Sequence, residues 1–551
     1  MTQDNARERV MHRLLERQAA RYNESTYMYY EEQEYSFKEM NESANRVAGG
    51  LQKIGIVKGD KVAFVMDNCP EAIFLMFGLS KLGAVAVPIN IFHKGEIMTY
   101  MVDHSDAGVL VMHSNFIDRL GPVLQKTAKV KSVVVLEGDG GEPDADVSNV
   151  SAAMVEDQIR ALGKQVLKWT EIISNDGKYQ PADVILSDPF LILYTSGTTG
   201  LSKGVLLPQN LLYCMAENFY KWILDENVNE NDCIYIPSPL FHAHAWHAGI
   251  NLALLRGAKV MLTRKFSASK YWADIKRYGC TYSAGGGARL PILLLAEPGP
   301  DDADNPLRVV LGGPASEKLC AAFEPRFGVK IMEFYGSTEL GTAAINRLSD
   351  RKIGTCGRVN PGHAVKIVDD DGIEVGINTP GEILFRPLKP YSMMLEYYKM
   401  PAQTIEAWRD LWFHTGDAGR LDEDGYLHFV DRKKDALRRR GENVSSFEVE
   451  RVINSHPAVL ESALYGVKSE LAEDDEIMVS VVLKPGHTLL PEDLIAFCEE
   501  QMAYFMVPRY VRLMAELPKN VVLRVEKYKL RDEGVTPDTW DREKYGYNLK
   551  R

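Results

Sequence analysis

Short apolar runs, Lys61-Val-Ala-Phe-Val65, Ala84-Val-Ala-Val87 and Val109-Leu-Val-Met112, alternate with helical stretches of similar size or longer, such as residues 71–82. Continuous apolar runs suit strands covered on both faces, and strands separated by helices must cross over and pair in parallel. The pattern predicts an α/β fold with layered helices on a mainly parallel sheet. A chain of 551 residues is too long for one core, because single cores stop growing near ~250–300 residues. A second α/β unit is expected over about residues 181–347, with strands at Leu191-Ile-Leu-Tyr194, Lys259-Val-Met-Leu262 and Arg308-Val-Val-Leu311. Residues 137–150, rich in Gly, Asp and Glu, read as a solvated loop between the two.

From residue 357 to 430 the segments shorten and are cut by Gly and Pro, as in a small β-barrel-like subdomain. The charge-dense stretch at 431–441 then marks a change of character. A boundary near Lys434 divides the chain into residues 1–433 and a smaller, mobile α+β domain, 434–551. With 45% hydrophobic and 25% charged residues, disorder is excluded as a reading. The formal charge of -12 leaves no general basic field for nucleic acid, so an anionic ligand must be held by local groups. Seven cysteines without a C-x-x-C pair argue against a disulfide framework or a zinc site. Residues 1–21 are charged and lack an apolar signal core, and residues 72–89 are too interrupted to span a bilayer. A cytoplasmic location is therefore expected.

The densest chemical signal is Tyr194-Thr-Ser-Gly-Thr-Thr-Gly-Leu-Ser-Lys-Gly204. It follows a strand-like run and interleaves hydroxyls with glycines, so backbone N–H groups and side-chain oxygens can approach phosphate while Lys203 adds a cation. The Walker spacing is absent. The string resembles the phosphate loop of the adenylate-forming superfamily, which includes acyl-CoA synthetases, peptide-synthetase adenylation domains and luciferases. One departure lies inside it: Ser202 stands where the family often has proline before the lysine.

The resemblance extends along nearly the whole chain. Pro239-Leu-Phe-His242 resembles the segment beside the acyl pocket, and Gly312-Gly313-Pro314-Ala315 the loop along adenine. Within Tyr335-Gly336-Ser-Thr338-Glu339, the family pattern implies that Tyr335 stacks on adenine, Thr338 meets the α-phosphate and Glu339 serves Mg2+, with Thr198 as a further metal contact. Ser196, Gly197, Thr198, Thr199 and Gly200 are implied to hold the phosphates. Asp417 is implied to bind the ribose hydroxyls with Arg432 as companion, Lys434 to be the hinge pivot, and Gly441 to leave room for the pantetheine arm of CoA. The implied catalytic set is Thr195, Lys203, Glu339, Arg524 and Lys434; the cofactors are ATP or its AMP moiety, Mg2+ and CoA.

The family chemistry has two half-reactions: a carboxylate attacks the α-phosphate of ATP to give acyl-AMP, then the CoA thiolate displaces AMP. The pattern breaks at the lysine that normally contacts both carboxylate and α-phosphate. Alignment on Pro518-Lys519 and on the trailing Glu-Lys-Tyr-Lys529 puts Arg524 there. Three readings stay open. Arg524 does the lysine's work, although its planar guanidinium is a poor geometric substitute; Lys527 or Lys529 reaches in; or adenylation is weak or lost and the enzyme works on preformed acyl-AMP.

By family analogy the acyl pocket is lined by His242 and Trp246 and bordered by Gly285, Gly286 and Gly287, whose missing side chains either widen the pocket or form a tight turn. His244 and His247 are expected as pocket lining rather than zinc ligands. Details over residues 288–328 look closest to ligases of the carnitine/crotonobetaine-CoA type, a weak guide to substrate. The expected activity is an acid-thiol ligase acting on a small carboxylic acid, with a homodimer left open. A luciferase-like oxygenase and a catalytically silent nucleotide-binding protein are the rivals.

Overall fold

Lys61–Val65 pairs in parallel with both Val85–Pro88 and Val109–His113, as its apolar character requires. The computed structural model describes residues 6–137, 152–195, 201–287, 289–313, 315, 317–432, 436–439, 442–468, 475–519 and 525–549. The first sheet continues in parallel through Ser132–Leu136 to Gln165–Lys168. On its other side Pro189–Thr195 joins Val85–Pro88 in parallel, and the antiparallel strands Lys203–Pro208 and Glu396–Tyr397 complete eight strands. The helix Pro70–Leu82 starts on a proline and stops at Gly83, whose left-handed φ of 66° suits glycine. It is buried on every side, and even Lys81 is enclosed, ion-paired to Glu16 at 2.5 Å.

The second sheet has seven strands, running from Lys330–Met332 through Val309–Leu311, Tyr282–Ser283, Cys233–Ile236 and Lys259–Leu262 to Thr26–Tyr30 and Gln33–Ser36. Two expectations are corrected here. Leu191-Ile-Leu-Tyr194 belongs to the first sheet, and the second is completed by the N-terminal hairpin, with Met28 in parallel register opposite Val260. Apolar patterning gives a strand's period but not its neighbour, which is chosen by packing between distant segments. The predicted solvated loop, apart from Glu137, lies outside the described residues.

The β-subdomain is antiparallel, with His363–Val368, Gly381–Pro387, Phe413–Leu421 and Leu427–Arg432 in that order. A three-stranded sheet of Phe334–Ser337, Gly341–Ile345 and Arg358–Val359 adjoins it through the bridge between Arg358 and Tyr426. The expected hinge residue Lys434 lies outside the described residues. Beyond it come the hairpin Ala436–Arg439 with Glu442–Ser445, and a sheet of Val459–Lys468, Asp475–Leu483, Tyr510–Met514 and Trp540–Asp541 packed with helices Ser446–Asn454 and Pro491–Gln501. This α+β unit meets the large one at Phe92, whose ring lies edge-on to Tyr504 at 5.3 Å and to Phe241 at 6.2 Å. Among the described residues no helix is long and apolar enough to cross a membrane.

Candidate active site

The phosphate loop closes a hairpin. Thr195 and Lys203 are antiparallel partners at the loop end of the hairpin Pro189–Thr195 and Lys203–Pro208, so both candidate groups are placed by strand register rather than by the loop. Ser196, Gly197, Thr198, Thr199 and Gly200 lie outside the described residues. The Lys203 ammonium sits 4.4 Å over the Tyr397 ring, and the Tyr397 hydroxyl donates to Glu339 Oε1 at 3.0 Å. Burial and the neighbouring carboxylate both push the Tyr397 phenol up. It therefore stays protonated and holds Glu339 by a charge-assisted bond. Tyr397 was not foreseen, because nothing in its sequence neighbourhood signals a partner 58 residues away.

Tyr335 leads into the same site from Phe334–Ser337. Its ring stacks on Phe385 with centroids 5.9 Å apart, and its hydroxyl donates to Asp417 Oδ2 at 2.6 Å. Burial and Asp417 together push this phenol up as well. Asp417 is further set by its own N–H, which donates to Thr415 Oγ1 at 3.0 Å. Arg432 occupies the register position directly opposite Asp417 on Leu427–Arg432. Thus the two residues expected to act together on ribose lie side by side, with the expected adenine residue hydrogen-bonded to one of them. Gly336 is required by crowding: a Cβ there would lie 2.0 Å from the Gly341 carbonyl oxygen. Nearby, Gly313 packs against Glu333, which accepts from the Ala315 N–H at 3.3 Å; Pro314 lies outside the described residues.

Thr338 and Gly336 also form one wall of a cavity of about 140 Å³, completed chiefly by Met215, Phe219, His244, His247 and Phe334. Two π-helical turns build it. Phe219–Ile223 continues the helix Gln209–Asn218, and Ala245–Ile250 precedes Asn251–Arg256. The wider turn shifts side chains off α-helical positions, a device common at functional sites. His244 stacks on Phe334 at 5.8 Å and donates Nε2–H to the Leu311 carbonyl at 3.1 Å. Burial lowers His244 to about 4 and His247 to about 3, so both rings are neutral. His244 and His247 both line this cavity.

Trp246 does not line this cavity. It is 1% exposed and donates its indole N–H to the Leu240 carbonyl at 2.7 Å, which makes it core. The triple glycine is also structural. A Cβ on Gly285 would meet Pro237 at 2.3 Å, one on Gly286 the Gly312 oxygen at 2.1 Å, and one on Gly287 the Gly313 oxygen at 3.1 Å. The absent side chains let the backbone of Gly286 and Gly287 approach that of Gly312 and Gly313 closely. Met215, Phe219 and Phe334 were missed, since apolar residues on a helix or strand read first as core.

His242 faces the C-terminal domain, donating to Glu442 Oε1 at 2.8 Å. Burial works against the Glu442 charge, but His242, His93 and Arg289 outweigh it and hold the carboxyl below its usual range. A second crossing contact is made by Ser202, whose N–H donates to Glu448 Oε1 at 2.7 Å and whose hydroxyl donates to the same oxygen. Both partners are 1% exposed. Burial pushes the Glu448 carboxyl up, with the Ser202 bonds and Arg451 opposing. Gly441 and Arg524 lie outside the described residues. Lys527 is 2.8 Å from Glu450 and Lys529 2.5 Å from Glu526, so both cations are engaged within their own domain.

Residues 15–398 match the family described as AMP-binding enzyme, and residues 448–522 match the AMP-binding enzyme C-terminal domain. The chain belongs to the AMP-binding enzyme family. A crotonobetaine/carnitine–CoA ligase from Salmonella choleraesuis (strain SC-B67) is 33% identical over 505 residues, covering 90% of this chain and 93% of its own length. An anthranilate CoA ligase solved in complex with anthranoyl-AMP is 26% identical, with TM-score 0.67 and 96% of each chain covered. A double mutant of o-succinylbenzoate CoA synthetase from Bacillus subtilis, bound with a product analogue, is 23% identical with TM-score 0.77, covering 95% of this chain and 98% of that one, and shares the fold.

Ligases of this AMP-binding family use ATP with Mg2+, and CoA. The residues present fit the cation. Glu339 offers a carboxylate whose Oε1 is oriented by Tyr397, and one or two carboxylates suffice when phosphate oxygens supply other ligands.

Proposed function

We propose that this chain joins a small carboxylic acid to CoA through an acyl-AMP intermediate, and that making the adenylate is its weaker half-reaction. The observation that carries this reading is the docking of the C-terminal domain. Glu442–Ser445 reaches the acyl side through the Glu442–His242 bond, and Glu448 closes on Ser202 beside the phosphate hairpin. In that arrangement the C-terminal strand Glu442–Ser445 lies against the segment expected beside the acyl pocket, which supports an arrangement for the thioester step.

In the first step the acid's carboxylate oxygen bonds to the α-phosphorus as pyrophosphate departs. Negative charge gathers on the phosphoryl oxygens, so fixed donors and cations lower the barrier without a covalent nucleophile. Lys203 supplies a cation beside the loop, and Thr195 a hydroxyl at the opposite strand end. Glu339, aimed by Tyr397, would hold Mg2+, which supplies charge neutralisation when bound. Asp417 and Tyr335 orient the nucleoside. In the second step the CoA sulfur bonds to the acyl carbon and the AMP phosphate leaves.

Weak adenylation follows from Arg524 at the position of the family's lysine. With Lys527 and Lys529 engaged by carboxylates of their own domain, no described lysine of that segment stands in. A guanidinium carries the charge but not an ammonium's compact geometry. The test is incubation with ATP, Mg2+, CoA and a panel of acids, and separately with synthetic acyl-AMPs and CoA. AMP and thioester are expected in equal amounts; no thioester from any acid or acyl-AMP would overturn the ligase reading.

A further inference from the structure

We propose that Tyr100 and His104 are positioning residues for ATP: from one helix they fix the two stems of the phosphate hairpin, and with them Thr195 and Lys203, for the phosphates that ATP carries beyond AMP. This rests on the phosphate-holding role given to the hairpin above and adds two residues to it.

The hairpin needs support from outside its own ladder. Lys203–Pro208 lies one strand from the end of its sheet, and the two-residue strand beyond it pairs only with Val205 and Leu206. Pairing on that side therefore stops short of Lys203, and strand ends held by few bonds fray.

The helix Gly95–His104 reaches both stems. The Tyr100 hydroxyl donates to the Ser202 carbonyl at 3.1 Å, and that carbonyl shares its peptide unit with the Lys203 N–H. Glu448 takes the N–H and the hydroxyl of Ser202, which leaves the carbonyl for Tyr100. On the other stem the Tyr194 hydroxyl, one residue before Thr195, lies 3.0 Å from His104 Nδ1. The Tyr100 and His104 rings adjoin, with centroids 5.1 Å apart. Just past the helix, Asp106 accepts from the Tyr398 hydroxyl at 2.8 Å, while the Tyr398 N–H donates to the Gly204 carbonyl at 2.7 Å. One helix and the turn after it thus hold both stems and the chain that carries Tyr397. Burial pushes the Tyr100 phenol up to about 12, with Glu448 adding to the effect, so it remains a donor at neutral pH.

In the same reading the nucleoside is oriented by Tyr335 and Asp417, which stand on strands of two other sheets. A shift of the hairpin stems therefore reaches ATP and spares AMP, whereas a general loss of packing weakens both.

The test is calorimetric titration of the full chain with ATP and with AMP, each with Mg2+, for the unmodified protein and for Tyr100→Phe, His104→Leu and His104→Gln. Loss of one hydrogen bond to a buried group should weaken ATP binding about three- to tenfold in Tyr100→Phe and in His104→Leu. AMP binding should change by less than about twofold, as expected for a site that shares no partner with the hairpin. His104→Gln keeps an amide that pairs with the Tyr194 hydroxyl and should bring ATP affinity back to within about twofold. Equal weakening of ATP and AMP, unchanged ATP affinity in Tyr100→Phe or His104→Leu, no recovery in His104→Gln, or no ATP binding by the unmodified chain overturns the proposal. Tyr100→Phe removes a single oxygen and keeps its ring beside His104, so it decides the matter even where a His104 variant does not fold. The titrations need neither an acid nor CoA: absence of thioester across the acid panel refutes the ligase reading alone, whereas the wrong ATP-to-AMP pattern refutes this inference alone.

Discussion

Truncating Glu448 to alanine separates the two half-reactions. In the docked arrangement its Oε1 accepts both the N–H and the hydroxyl of Ser202, with both residues almost fully enclosed. Glu448→Ala leaves a buried backbone donor unpaired, which costs about 1–3 kcal/mol, and removes two bonds. Part of this is returned, because burial already opposes the Glu448 charge. A net loss of about 1–2 kcal/mol remains, or roughly five- to thirtyfold in the population of the docked arrangement. Under the expected swing of the C-terminal domain, Ser202 regains water in the adenylating arrangement and the loss disappears there. Single-turnover conversion of acyl-AMP to thioester should thus slow by about five- to thirtyfold, while ATP–pyrophosphate exchange changes by less than about twofold. Ser202→Ala should cost less, and the double variant no more than Glu448→Ala alone. An equal fall in both half-reactions, or an unaltered thioester step, would refute the reasoning.

The Tyr335→Phe enzyme loses the bond that orients Asp417 and should bind AMP about three- to tenfold more weakly by calorimetry; unchanged affinity would remove the phenol from nucleotide recognition. Tyr397→Phe frees the Glu339 carboxylate and should raise the Mg2+ concentration for half-maximal activity about tenfold, as loss of a partner behind a metal ligand usually does. An unaltered Mg2+ requirement would contradict that role. Buried His93, His244 and His363 have folded pKa values lowered to about 4, and His247 to about 3. Below ~6.5 the unfolded chain therefore binds more protons than the folded one, so their contribution is complete above ~6.5 and is lost as pH falls toward about 4. Melting temperature should drop steadily from pH 7 to pH 5; a flat profile would show that these rings are not buried as neutral groups.

Local order was legible in the sequence because apolar runs and glycine stops act over a few residues. Lys61–Val65 and the helix ending at Gly83 were read directly, and Tyr335 and Asp417, singled out through extended motifs, prove to be hydrogen-bonded to each other. What escaped depends on contacts across the chain. The partnership of Thr26–Tyr30 with Lys259–Leu262 spans more than two hundred residues, as does that of Ser202 with Glu448. The π-helical turn at Ala245–Ile250 separated neighbours that were expected to line the pocket together, sending Trp246 into the core while His247 faces the cavity. Three glycines in a row signalled missing volume, but only the backbone oxygens of Gly312 and Gly313 show where that volume went.

The central claim is that this AMP-binding enzyme is better at using acyl-AMP than at making it. The direct measurement is ATP–pyrophosphate exchange set beside thioester formation from the matching acyl-AMP, in the natural chain and in Arg524→Lys. The account predicts thioester formation at least about tenfold faster than exchange, with Arg524→Lys raising exchange and narrowing that gap. Exchange as fast as thioester formation in the natural chain, or no gain from the lysine, would contradict it.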